Sequence, residues 1–201
     1  MRPLRVRLPD GRVWLRVADP AWTDPLDPSF AGRNGGRWNP PRSHPTLYLN
    51  ADVATARLQI ERMLEGSPVR MDDLGDDAFV LVAATLPRSQ RCAGACSPEG
   101  LQALGLPESY PQAGDGTTVA REVCQPIGAE IREIGLRGVW CRSARRPDGT
   151  GRELAWFPAT RRSKAVPVWD QPLPLGRWRF AMGWPNLGLT DQPDPKEDPP
   201  K

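Results

Sequence analysis

Apolar residues fall along this chain in short runs and in spaced faces, and the two patterns mark different elements. Val13-Trp-Leu-Arg-Val17 is a compact β-favouring run and predicts a first strand. Residues 18–36 are crowded with Pro, Asp, Gly and Asn and read as a loop. Thr46-Leu-Tyr-Leu-Asn50 alternates and predicts a second strand. Asp52 then stands as an N-cap before apolar positions at Val53, Ala56, Ile60 and Met63/Leu64, a helical spacing ended by Gly66. Ala78 to Leu86 is a continuous apolar run, a buried strand. Residues 87–116 predict loops with a short helix near 98–104. Val119, Val123, Ile127, Ile131 and Ile134 share one helical face, stopped by Gly135, with Pro126 predicted to kink or split it. Gly138–Arg142 and Glu153–Phe157 predict two strands about the turn Pro147-Asp-Gly149. Val166–Trp169 and Arg177–Phe180 predict two further short strands.

These elements make an α+β domain: a mixed, mainly antiparallel sheet with flanking helices, lacking regular βαβ alternation. Neither GxGxxG after a strand nor GxxxxGK[ST] occurs, so Rossmann and P-loop chemistry have no support. Pro (24) and Gly (19) make up about a fifth of the 201 residues. That excess over roughly 12% suits many turns and excludes a helical bundle. Residues 1–189 read as one domain, and the polar, Pro-rich 190–201 as a disordered tail. No apolar run is long enough for a membrane span. The N-terminus lacks the apolar core of a secretory signal, so a cytoplasmic location is expected.

Charge and cysteine usage narrow the chemistry. The net charge of +3 comes from interspersed residues of both signs, so a nucleic-acid groove is not implied. Arg145-Arg146 and Arg161-Arg162 read as solvated surface. Cys92, Cys96, Cys124 and Cys141 are expected as reduced thiols. Cys92-x3-Cys96 misses zinc-knuckle spacing and the only histidine is distant, so no metal is expected. That histidine, His44, sits in a loop between prolines and reads as exposed, which disfavours histidine-base hydrolysis.

The string richest in chemistry is Gly35-Gly-Arg-Trp-Asn-Pro-Pro41. Two glycines allow close backbone approach to a ligand. Arg37 can grip phosphate, Trp38 can wall a pocket, and Asn39 before Pro40 favours a fixed turn. The same string also reads as a loop packed by a tryptophan with its arginine exposed. Arg16 lies in the first predicted strand and faces either solvent or a cleft. Tyr48 alternates with apolar neighbours on the second strand. Ser143 ends the Gly138–Arg142 strand.

Together these strings resemble the RES domain family, named after Arg, Glu and Ser. The matching residues are Trp14-Leu-Arg16-Val, Gly35-Gly-Arg37-Trp-Asn-Pro, Leu47-Tyr48-Leu, Thr55-Ala56, Gly138-Val-Trp-Cys-Arg-Ser143-Ala144 and Glu153-Leu-Ala-Trp-Phe-Pro158, spanning about 12–160. The resemblance implies a fold related to the ADP-ribosyltransferase toxins, with NAD⁺ in a cleft as substrate. It implies a bacterial toxin of a toxin–antitoxin pair that cleaves the nicotinamide–ribose bond as a glycohydrolase, a phosphorylase or an ADP-ribosyltransferase. A helix-turn-helix (Xre-type) antitoxin would block the cleft, and a homodimer is compatible. By carry-over, Arg16 and Arg37 hold the pyrophosphate beside Trp38 and Asn39, Tyr48 flanks the nicotinamide–ribose, and Ser143 bonds near the nicotinamide. The family's glutamate position holds Gln59 here. Glu61 lies two residues on, about 200° around a helix, so it points elsewhere. Glu153 is the expected replacement carboxylate. A binding module with weakened or lost catalysis, or a protein-interaction domain using the late tryptophans, are the alternatives.

Overall fold

The computed structural model describes residues 2–146, 148–160 and 163–198. Its strands are β1 (Arg5–Arg7), β2 (Val13–Ala18), β3 (Leu47–Asn50), β4 (Val80–Thr85), β5 (Arg91–Ala95), β6 (Gly138–Arg142), β7 (Arg152–Trp156), β8 (Val166–Pro167), β9 (Leu173–Pro174) and β10 (Lys196–Glu197). The helices are α1 (Ser29–Asn34), α2 (Val53–Met63), α3 (Pro98–Ala103), α4 (Arg121–Glu133) and α5 (Leu175–Trp178). The strands run β10-β1-β5-β6-β7-β3-β2-β4-β8 across one sheet, with β9 also on β4. Only the β5–β6 pairing is parallel among these described strands. The expected mixed, mainly antiparallel α+β architecture is therefore the one observed.

Side chains alternate between the sheet's two faces, and ladder partners share a face. One face carries Trp14, Leu47, Leu49, Val82, Trp140, Leu154 and Trp156 in a single apolar cluster. Trp14 and Trp140 meet edge to face at 5.5 Å. The other face carries Leu15, Leu81 and Ala83 under α2 and α5, and Val139, Cys141 and Ala155 under α3 and α4. Asp52 caps α2 as its sequence predicts, accepting the Thr55 N–H at 2.6 Å.

Several expectations are corrected. β1 and β5 were not predicted, because Arg-Val-Arg and Arg-Cys-Ala-Gly-Ala lack β-branched runs; pairing between them makes both strands. Arg177–Phe180 is not a strand: Arg177 and Trp178 lie in α5, whose Leu175 and Trp178 are buried. The helix α4 continues through Pro126 without a split. His44 is 6% exposed rather than solvated, its ring edge-on to Phe157 at 4.6 Å.

Residues 190–198 are docked, not a free tail. Gln192 Oε1 accepts the Val13 N–H at 2.8 Å. The buried Arg12 guanidinium donates to the Pro193 carbonyl and to the Ala51 carbonyl (3.2 Å), and lies 3.5 Å from the Asp194 carboxylate. β10 then pairs with β1, and Asp198 meets Arg91 at 3.2 Å. Residues 199–201 of the expected tail lie outside the described residues. No described helix is long and apolar enough to cross a membrane.

Candidate functional site

The loop after α1 is built around Tyr48. Gly35 adopts φ +77°, which favours glycine, and a Cβ at Gly36 would lie 2.3 Å from the Tyr48 hydroxyl. That hydroxyl accepts the Trp38 N–H at 2.9 Å and donates to Asn39 Oδ1 at 2.8 Å. Asn39 Nδ2 in turn donates to the Ala31 carbonyl at 2.7 Å. From above, α4 presses onto the loop so closely that a Cβ at Gly128 would sit 1.9 Å from the Trp38 carbonyl oxygen. Gln125 Nε2 donates to the Gly36 carbonyl at 2.9 Å. The loop's shape is thus fixed by packing before any ligand arrives.

This geometry reassigns two residues. Trp38 is 1% exposed and packs near Tyr110, with ring centroids 6.1 Å apart. Asn39 is wholly buried. Neither offers a free surface; both hold the loop, and Arg37 between the glycines and Trp38 is the residue presented. Its Nη1 donates to the Val119 carbonyl at 2.7 Å, which aims the half-buried guanidinium.

Ser143 and Glu153 stand on the same sheet face as Tyr48. The register fixes this: Asn50 pairs with Glu153, and Tyr48 is two residues from Asn50. The buried Ser143 hydroxyl donates a short hydrogen bond to the Glu153 carboxylate. Ser143 Oγ also accepts the Arg145 N–H at 3.1 Å. Burial pushes the Glu153 carboxyl above the usual carboxylate range; the Ser143 hydrogen bond and the Arg145 and Arg37 guanidiniums partly hold it down. Burial likewise raises the Tyr48 phenol, which stays protonated at ordinary pH. Burial lowers Arg145; Glu153 opposes that, while Arg62, Arg37 and Arg121 reinforce it. Arg37 and Arg145 thus both act on the Glu153 carboxylate, while Arg62 and Arg121 act on Arg145. Such an array suits a polyanionic ligand with an electron-poor centre near Glu153.

The remaining expected residues separate. Gln59 is half-buried on α2, on the side of the buried Thr55. Glu61 is exposed and lines a cavity of about 350 Å³ with Val69 and Arg70, away from Gln59, so it does not take Gln59's place. Arg16 pairs with Val82 on the tryptophan-bearing face, whereas its neighbour Leu15 pairs with Asn50. The sheet therefore stands between Arg16 and the cluster of Tyr48, Ser143 and Glu153, and Arg16 does not join Arg37. Sequence reasoning missed Arg145, which it read as solvated surface. The available signal was Arg145's position two residues after Ser143. Among the described residues, no three His, Cys, Asp or Glu are grouped to hold a metal.

A family model described as the RES domain matches residues 6–178. No curated protein matches the sequence significantly. Among solved structures, a chain of the M. tuberculosis MbcT–MbcA toxin–antitoxin complex superposes with a TM-score of 0.63 at 20% identity, covering 87% of this chain and 90% of that one. At that identity the likeness is one of fold. The family match takes in β1 to α5, including Arg37, Tyr48, Ser143 and Glu153, and the chain therefore belongs to the RES domain family.

Proposed function

We propose that the protein binds NAD⁺ over the face that carries Tyr48, Ser143 and Glu153, and breaks the nicotinamide–ribose bond there. The observation that carries this reading is the Glu153 carboxylate, held by the Ser143 hydroxyl and flanked by Arg37 and Arg145. Arg37 and Arg145 are the pyrophosphate ligands in this reading, with Arg145 taking the part expected of Arg16. Tyr48 shapes the Arg37 loop from below. As the C–N bond lengthens, its electron pair leaves with neutral nicotinamide and positive charge builds on the ribose. A fixed carboxylate stabilises that charge, as in glycoside hydrolysis. The Gln59 amide can bind a ribose hydroxyl but supplies no charge. The acceptor that captures the ribose carbon is water, phosphate or a protein side chain.

The family and the toxin–antitoxin complex of the structural neighbour support a second part of the proposal. The chain is a toxin whose action an antitoxin protein, here proposed to be of the helix-turn-helix class, restrains by covering this site. Purified protein incubated with NAD⁺, with and without phosphate, should release nicotinamide well above an Arg37→Ala control. Absence of release, with NAD⁺ still raising the unfolding temperature, would favour a binding module in which Gln59 marks lost chemistry. Neither release nor protection would overturn the NAD⁺ reading.

A further inference from the structure

Asn50 stands at a seam of the sheet. The strands β2 and β3 meet through one ladder pair, Leu15 with Asn50. By contrast, β2 pairs with β4, and β3 with β7, along their whole lengths. On its β7 side Asn50 is the direct partner of Glu153. Opposed residues share a face, with Cβ atoms about 5 Å apart. The Asn50 amide and the Glu153 carboxylate are therefore neighbours on the face that carries Tyr48 and Ser143.

One bond fixes which way that amide lies. Its Nδ2 donates to the Leu15 carbonyl at 3.2 Å, toward β2. The arm left over is Oδ1. Asn50 is wholly buried, and among the described residues Oδ1 has no hydrogen-bond partner. A buried acceptor without a donor is costly. On the neighbouring carboxylate, the Ser143 hydroxyl serves Oε1 and leaves Oε2 to accept from another donor.

Two acceptor groups side by side select what can lie between them. Neither donates to the other while Glu153 is ionised. Phosphate would bring negative charge and mostly further acceptors. A protein hydroxyl has one proton and serves only one of the two. Water has two O–H donors, satisfies both, and keeps its lone pairs for the ligand.

We propose that Asn50 positions the acceptor of the reaction: its Oδ1 and the Glu153 carboxylate hold one water between them, and that water attacks the ribose. This rests on the NAD⁺ reading and chooses among the acceptors that reading leaves open. The water oxygen bonds to the anomeric carbon as the C–N bond breaks. The C–N electron pair leaves with neutral nicotinamide, one water proton passes to Glu153, and the product is ADP-ribose. Burial raises the Glu153 carboxyl, which makes it a stronger base for that proton. Holding both O–H bonds also aims the attacking lone pair.

The test gives the full chain NAD⁺ with methanol and inorganic phosphate as competing acceptors, and counts each product. Wild type should form ADP-ribose, with the methyl and phosphate adducts minor. Methanol needs only one donor bond. Removing the amide oxygen in Asn50→Ala should therefore raise the ratio of methyl adduct to ADP-ribose roughly fivefold or more. Asn50→Asp keeps an oxygen acceptor but loses the Nδ2 bond to Leu15, so its ratio should stay near that of wild type. The ratio does not depend on how much of a variant folds. The same ratio in Asn50→Ala and Asn50→Asp, or loss of all product in both, would make Asn50 only a tie between β2 and β3 and overturn the proposal. A phosphate adduct as the main wild-type product overturns it too. Wild type that releases no nicotinamide fails the NAD⁺ reading itself, and the water's role with it.

Discussion

At the scale of single residues, burial decides what each titratable group can do. Glu153 is raised above the usual carboxylate range, chiefly by burial. Its charge is therefore unfavourable to the fold, and it is the charge the proposed chemistry uses. The stability it contributes is full below the unfolded carboxylate pKa and is lost as pH rises through the folded one. Glu153→Gln should thus raise the unfolding temperature at pH 7.5, with the gain vanishing near pH 3.5, while nicotinamide release falls about 10²–10³-fold. A variant that is both fully active and no more stable would overturn this role. His44 has the opposite sign. Burial first, then Arg132, lowers it from 6.5 to about 4. Its neutral form is the folded one, so stability is full above about pH 6.5 and declines as pH falls toward 4, by roughly 3 kcal/mol. Urea unfolding across that range should show this decline, blunted in His44→Asn. Both identities were in the sequence. Nothing in Pro40-Pro-Arg-Ser-His-Pro45 says that Phe157, 113 positions later, covers the ring.

At the scale of elements, the site is a loop clamped between a strand and a helix. The strand β3 supplies the Tyr48 hydroxyl, and α4 approaches through the gap at Gly128. Gly128→Ala would set a methyl against the Trp38 carbonyl backbone, which no rotamer change relieves. It should cost about 2 kcal/mol or more in urea unfolding and weaken NAD⁺ binding together, because the same shift moves Arg37. Gly36→Ala meets the Tyr48 hydroxyl and should weaken binding with a smaller loss of stability. Periodicity foretold β2, β3, β4, β6, β7 and α2 because each has an apolar face that pairs or packs in its own register. It missed β5, whose Cys-Ala-Gly-Ala segment is a strand only because β1 and β6 flank it. It also read Arg177–Phe180 as a strand, where burial of Leu175 and Trp178 selects a helical turn.

At the scale of the whole molecule, the C-terminal segment closes the structure. Arg12, 3% exposed, has partners at Pro193 and Asp194, and β10 covers the edge of β1. Truncation after residue 189 would leave that guanidinium with the Ala51 carbonyl and the rings of Trp14 and Trp140 but without its anionic partner. A loss of about 3 kcal/mol in chemical denaturation is expected, and Arg12→Met should recover part of it in the truncated chain. Unchanged stability on truncation would show the docking to be energetically idle.

The fold class, the strand and helix that carry Tyr48 and Gln59, and the Gly-rich arginine loop were determined by the sequence itself. Their signals are local: apolar period, capping residue, glycine where a backbone must come close. The departure at Gln59 was legible through the family resemblance, in which Thr55-Ala56 sets Gln59 at the glutamate's position, and the helical angle of about 200° turns Glu61 away from it. Only the tertiary structure decided that Arg16 and Arg37 lie on opposite faces of the sheet. It alone turned Trp38 and Asn39 into supports, and brought Arg145 to Glu153. Those outcomes depend on which strands become neighbours and in which register, and a one-residue change in register exchanges the faces.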